Sequence, residues 1–118
     1  MSVEVLIRDL IKTNFAVSTD DGNLVFDVVN QNLSKKEFVI LNFRGINLMT
    51  TAFLNAAIGQ LYSNKEYSSE FLNSNLKLQN VPEQDKALFS MVVKRAKEYF
   101  ANKESFEKNT SNSMYGHN

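Results

Sequence analysis

The run Phe38-Val39-Ile40-Leu41-Asn42-Phe43 constrains this chain most. It is apolar almost throughout and bounded by the polar Glu37 and Arg44, the pattern of a central strand covered on both faces. Arg44-Gly45 breaks the run. Thr50 or Thr51 then stands just before Phe53, Leu54, Ala57, Ile58 and Leu61, which recur at helical spacing behind an N-cap hydroxyl. Ala52, Ala56 and Gly59 form a small-residue stripe beside them, expected to let this helix lie close against the sheet. Close packing would offset the ~1 kcal/mol that a mid-helix glycine costs relative to alanine.

The flanking segments extend the alternation. Val3, Val5 and Ile7 alternate with Glu4, Leu6 and Arg8, which predicts a strand from Val3 to Ile11. Phe15-Ala16-Val17 predicts a second short strand, hairpinned to the first. Ser18-Thr19-Asp20-Asp21-Gly22 supplies caps and turn formers, and Leu24, Val25, Val28, Val29 and Leu33 place a helix after it, ending near Ser34-Lys35-Lys36. Residues 62–75 read as loop with a helical turn. Leu76 to Val81 alternates as a strand, and Asn80 with Pro82 and Glu83 resembles a capping arrangement for a helix over 83–101, whose apolar face holds Leu88, Phe89, Val92, Val93, Ala96, Tyr99 and Phe100. Residues 1–102 thus read as one α/β domain with parallel crossovers, and 103–118 as a mobile polar C-terminal tail.

Composition limits the chemistry. The 118 residues contain no cysteine, which excludes disulfides, thiolate metal sites and thiol nucleophiles. Lys and Arg number 13 against 13 Asp and Glu, so there is no basic excess to attract a phosphate backbone, and nucleic acid is not the expected partner. No apolar run approaches the ~20 residues of a membrane span, and no secretory signal opens the chain, so the cytoplasm is the expected compartment. The single histidine, His117, lies in the polar tail, and the four glycines are scattered, which leaves no seat for a His-based triad, a His-based metal site or a nucleotide cofactor. Asp20 and Asp21 are adjacent acids at a helix start, where capping and dipole roles outweigh acid–base catalysis or ligation of a hard metal. No enzymatic activity, metal or cofactor is expected.

Thr50 and Thr51 are the more informative pair. A strand–loop–helix junction sets hydroxyls beside free amides, where an anion or covalent phosphate is electrostatically favoured, although a plain N-cap uses the same residues. The block from Phe38 to Tyr62, together with Phe15-Ala16-Val17-Ser18 and Asp20-Asp21-Gly22, resembles the STAS-like family of small bacterial and phage-associated domains related in pattern to anti-sigma factor antagonists. The resemblance implies a STAS-type single domain, a mixed, mostly parallel sheet with about three helices packed mainly on one side. It also implies a non-enzymatic regulatory module that binds another protein. In phospho-regulated antagonists the helix after the central strand begins with an acid, a phospho-accepting Ser or Thr, a second hydroxyl and a Gly. The matching positions here are Met49, Thr50, Thr51 and Ala52, so the hydroxyls are kept and the acid and glycine are not.

By that resemblance Thr50 and Thr51 are the candidate phospho-acceptors or partner contacts, and Asn47, Met49 and Asn55 complete the expected partner-binding surface. A histidine-kinase-like ATPase is the partner class implied, and homodimerisation through a sheet edge is a further expectation. The alternative function is a sensor that holds a small anionic ligand or nucleotide at the same helix N-terminus.

Overall fold

The structure, a computed structural model, describes residues 2–63 and 66–98. The expected helix end at Ala101, the tail from 103 to 118 and His117 lie outside the described residues. β1 (Ser2–Leu6), β3 (Phe38–Asn42) and β5 (Leu76–Gln79) form a three-stranded sheet in the order β1-β3-β5, every pairing parallel. The run at 38–43 does supply the central strand. In register, Val3, Val39 and Leu76 lie side by side, as do Val5, Leu41 and Leu78, while Glu4, Ile40 and Lys77 project from the opposite face. Val39 and Leu41 are wholly buried; Glu4 and Lys77 are exposed, and Phe38 and Ile40 are only half-buried. Helices therefore cover one face of the sheet, and β3 is less enclosed than its composition suggested.

The first strand is shorter than expected. After Leu6 the chain turns into α1 (Ile7–Ile11), which buries Ile7 and Ile11 four residues apart and closes at Lys12 in the left-handed conformation (φ 62°). The alternation of residues 3–8 hid this second, helical spacing. α1 also separates β2 (Phe15–Ala16) from β1, so no hairpin forms; β2 pairs in parallel with β4 (Leu48–Met49) as a separate two-stranded ribbon. α2 (Thr19–Ser34) begins where expected, with the Ser18 hydroxyl accepting from the Asp21 amide at 3.0 Å, and buries Val25, Val29 and Leu33.

α3 is one helical rod, α-helical over Thr51–Leu54, widened to a π turn over Asn55–Gly59, and α-helical again over Gln60–Tyr62. Gln60 Nε2 donates to the Ala56 carbonyl within the widened turn and to Asn23 Oδ1 of α2, at 2.7 and 2.9 Å. The small-residue stripe serves helix contacts rather than the sheet. A Cβ on Gly22 would stand 2.5 Å from the Phe53 carbonyl oxygen and 2.6 Å from Ala56 Cβ, so α2 and α3 meet backbone to backbone at that crossing. Gly59 faces Val92 with no such closeness, its virtual Cβ meeting nothing nearer than 3.5 Å, and Ala52 is exposed.

Ser68 caps α4 (Ser69–Asn75), a helix where only a turn was expected. Asn80 does not cap the last helix. It adopts φ 59° and donates its side-chain amide to Asn42 Oδ1, and the helix α5 over residues 86–98 is entered instead through a 3-10 turn, Glu83–Asp85, after Pro82. α5 lays Phe89 edge-on against Phe43 at 5.0 Å and Val92 beside Gly59. The core consists mainly of Phe43, Phe53, Ile7, Leu33, Leu41, Leu54, Ile58 and Leu61. Each such side chain contributes about 1.5–3 kcal/mol on burial.

Candidate functional site

The ribbon β2–β4 places two helix starts side by side. Ala16 is followed by Val17 and the cap Ser18 of α2, while Met49 is followed directly by the cap Thr50 of α3. Cross-links hold the two together: the Asn47 amide donates to the Asn14 carbonyl at 2.8 Å, and the Thr50 amide to the Ala16 carbonyl at 3.1 Å. The Thr50 hydroxyl donates to the Val17 carbonyl at 2.7 Å and accepts from the Phe53 amide at 3.2 Å. One side chain thus caps α3 and ties it to the β2–α2 connection.

This geometry separates the two threonines. Thr50 has both hydrogen-bonding functions of its hydroxyl engaged. Thr51, the first residue of α3, is half-exposed, and its hydroxyl makes no hydrogen bond among the described residues. The remaining predicted surface residues divide as well. Asn47 is exposed beside the ribbon. Met49 is only 6% exposed and belongs to the core, because alternation along β4 turns it inward and its neighbour Leu48 outward. Asn55 is exposed one turn below Thr51, with Oδ1 close to Gly59, in the cleft between α3 and α5 rather than on the ribbon end.

Sequence reasoning missed the most exposed feature of this end. Phe15 and Leu48 are cross-strand partners in the ribbon, and each is 53% exposed; Val17, two residues on, is 37% exposed. The alternation of Phe15-Ala16-Val17, with Ala16 buried, carried the signal, but it points outward only once the pairing of β2 with β4 is known. Asp20 and Asp21 occupy the first turn of α2, where their charges complement the helix dipole. Among the described residues no cluster of three or more His, Asp or Glu side chains is arranged to hold a metal, and no helix is long and apolar enough to cross a membrane.

A family model described as a STAS-like domain of unknown function matches residues 21–86, more than half of the chain. The chain belongs to this STAS-like family. The match runs from the first turn of α2 to the first residue of α5, so it takes in the central strand, the ribbon strand β4 and the capped start of α3. No curated protein and no solved structure matches the chain. The α/β architecture, with its parallel sheet and helices on one face, agrees with the STAS-like assignment.

Proposed function

We propose that this STAS-like domain is a non-enzymatic regulatory module, cytoplasmic in setting, whose protein partner docks on the end formed by β2, β4 and the first turns of α2 and α3. The observation that carries this reading is the exposed Phe15–Leu48 pair, set in register beside two helix starts. Large apolar side chains at paired strand positions, with exposed Asn47 next to Leu48 in sequence and Asp20 and Thr51 in the first turns of the two helices that follow, suit an interface with an apolar centre and polar rim.

A phosphate here belongs on Thr51. On Thr50 it would replace the proton donated to Val17 and set a dianion beside that carbonyl oxygen, breaking the side-chain tie between α3 and the β2–α2 connection. On Thr51 it would add about −1.5 to −2 charge at the positive end of α3 without removing a cap, and its effect would fall on the partner. The anion-sensor alternative has less support, because the amides of Asp21 and Phe53 already have hydroxyl partners and two carboxylates stand in the adjacent first turn.

The test is affinity capture of the tagged full-length chain from its own host, with wild type, Phe15→Ser/Leu48→Ser and Thr51→Glu compared by quantitative mass spectrometry. A stoichiometric partner held by wild type and lost from both variants, with their circular dichroism unchanged, is the expected result. Equal recovery of that partner by Phe15→Ser/Leu48→Ser would exclude the ribbon end as its docking site.

A further inference from the structure

A second surface lies along β5 and α5. β5 is an edge strand, with β3 on one side and no described strand on the other. Between it and α5 runs an open groove of about 460 Å³, lined by Leu78, Phe89, Val93, Ser90, Lys94 and Lys97. Its floor is apolar and its rim carries two ammonium groups. Lys77 adds a third, on the other face of the same edge strand. None of the three lysines is ion-paired among the described residues; Lys97 instead sits over the Tyr62 ring at 5.3 Å.

We infer that this groove receives an extended, acidic peptide segment of a protein partner, which adds a strand to the edge of β5 that no described strand occupies. An added strand turns successive side chains to opposite faces. Residues facing the helices would set apolar side chains over Leu78, Phe89 and Val93, with a carboxylate at the end of the groove reaching Lys94 or Lys97. Residues facing the other way would meet Lys77, so acidic side chains suit those positions. The lysines do two things at once. They discourage edge-to-edge pairing between copies of the chain, whose own edge cations would repel, and they leave the edge open to a segment of opposite charge. The short length of β5, Leu76–Gln79, limits the added strand to about four paired residues.

The experiment titrates the isotopically labelled full-length chain with an eight-residue peptide alternating valine with glutamate, read by backbone amide NMR. Amide shifts confined to residues 76–79 and 89–97 are expected. The affinity should fall about tenfold or more in Lys94→Glu/Lys97→Glu and by a smaller factor in Lys94→Gln/Lys97→Gln. A peptide N-methylated at alternate residues, unable to pair with the edge, should not bind. Equal binding of a valine–lysine peptide, shifts centred on Phe15 and Leu48, or full affinity of the N-methylated peptide would each overturn the inference. So would a response to anionic lipid vesicles with none to the peptide. Because the Phe15→Ser/Leu48→Ser variant leaves this groove intact, it should bind the acidic peptide as wild type does, which keeps the two surfaces separable.

Discussion

Gly22→Ala is the sharpest structural test, because a single methyl group decides whether α2 and α3 can cross as they do. The added Cβ would lie 2.5 Å from the Phe53 carbonyl oxygen and 2.6 Å from Ala56 Cβ. Carbon atoms in good contact sit about 3.5–4.0 Å apart, so the helices must part by roughly 1 Å. Overpacking of this kind costs about 1–3 kcal/mol. The intrinsic preference of helices for alanine over glycine returns up to ~1 kcal/mol. The net expectation is a loss of about 1–2 kcal/mol, and a melting temperature lower by about 4–8 °C for a domain of this size. Gly59→Ala is the matched control: its Cβ meets Asn55 Oδ1 at 3.5 Å and Val92 at 3.6 Å, both ordinary contacts, so the same substitution should be neutral or stabilising by up to ~1 kcal/mol. Adding Ala56→Gly to Gly22→Ala should recover only part of the loss, since the contact with the Phe53 carbonyl remains. Thermal melts followed by circular dichroism and calorimetry read the three variants against wild type. A Gly22→Ala protein that melts at or above wild type, or two glycine variants that shift alike, would refute the crossing geometry.

Three further outcomes follow from named contacts. Thr50→Val, which removes both a cap and the bond to Val17, should cost about 1–2 kcal/mol in urea unfolding, whereas Thr51→Ala should stay within about 0.5 kcal/mol of wild type. Asn42, only 7% exposed, donates to Glu4 Oε2 and accepts from the Arg44 amide and the Asn80 side chain; Asn42→Ala should cost about 1–3 kcal/mol, and Asn42→Asp should be less stable at pH 7 than at pH 4, because two carboxylates would then face each other. Burial holds the phenols of Tyr62 and Tyr67 above the ordinary value of 10.0, with Glu66 adding to the effect on Tyr67. The unfolded chain therefore ionises first, so this contribution is complete below pH 10 and is lost as the pH rises through the higher folded values; Tyr62→Phe should show a shallower decline in denaturation midpoint above pH 10 than wild type.

The legible parts of this fold were those in which one local signal had no competitor. The apolar run at 38–43 marked the central strand, though not that one of its faces is left partly open, and Ser18 and Thr50 stood at the two places where a capping hydroxyl precedes a helical apolar spacing, so β3, α2 and the start of α3 were readable from local pattern. Where two periods overlapped, local reading chose wrongly: Ile7 and Ile11 satisfy a helix as well as a strand, and only the parallel pairing of β1 with β3 ends the strand at Leu6. Asn80 looked like a cap because its side chain is short and polar, but Asn42, distant in sequence, takes its amide. The candidate site was half visible for the same reason. Thr50 and Thr51 were found at the helix start, while the exposure of Phe15 and Leu48 and the burial of Met49 depend on which strand β4 pairs with, a non-local fact. Ala56 was read as a packing residue correctly and given the wrong partner, since helix crossings are set by tertiary arrangement rather than by the stripe itself.

The central claim, that a partner docks on the β2–β4 end, is tested most directly by site-specific photocrosslinking in the chain's own host. A photoreactive benzoylphenylalanine replaces Leu48 in one strain and Leu24, an exposed apolar residue on α2, in another. The account predicts one discrete covalent adduct to a second protein from position 48, diminished by Thr51→Glu, and none of comparable yield from position 24. A strong adduct from position 24 with none from position 48 would contradict it.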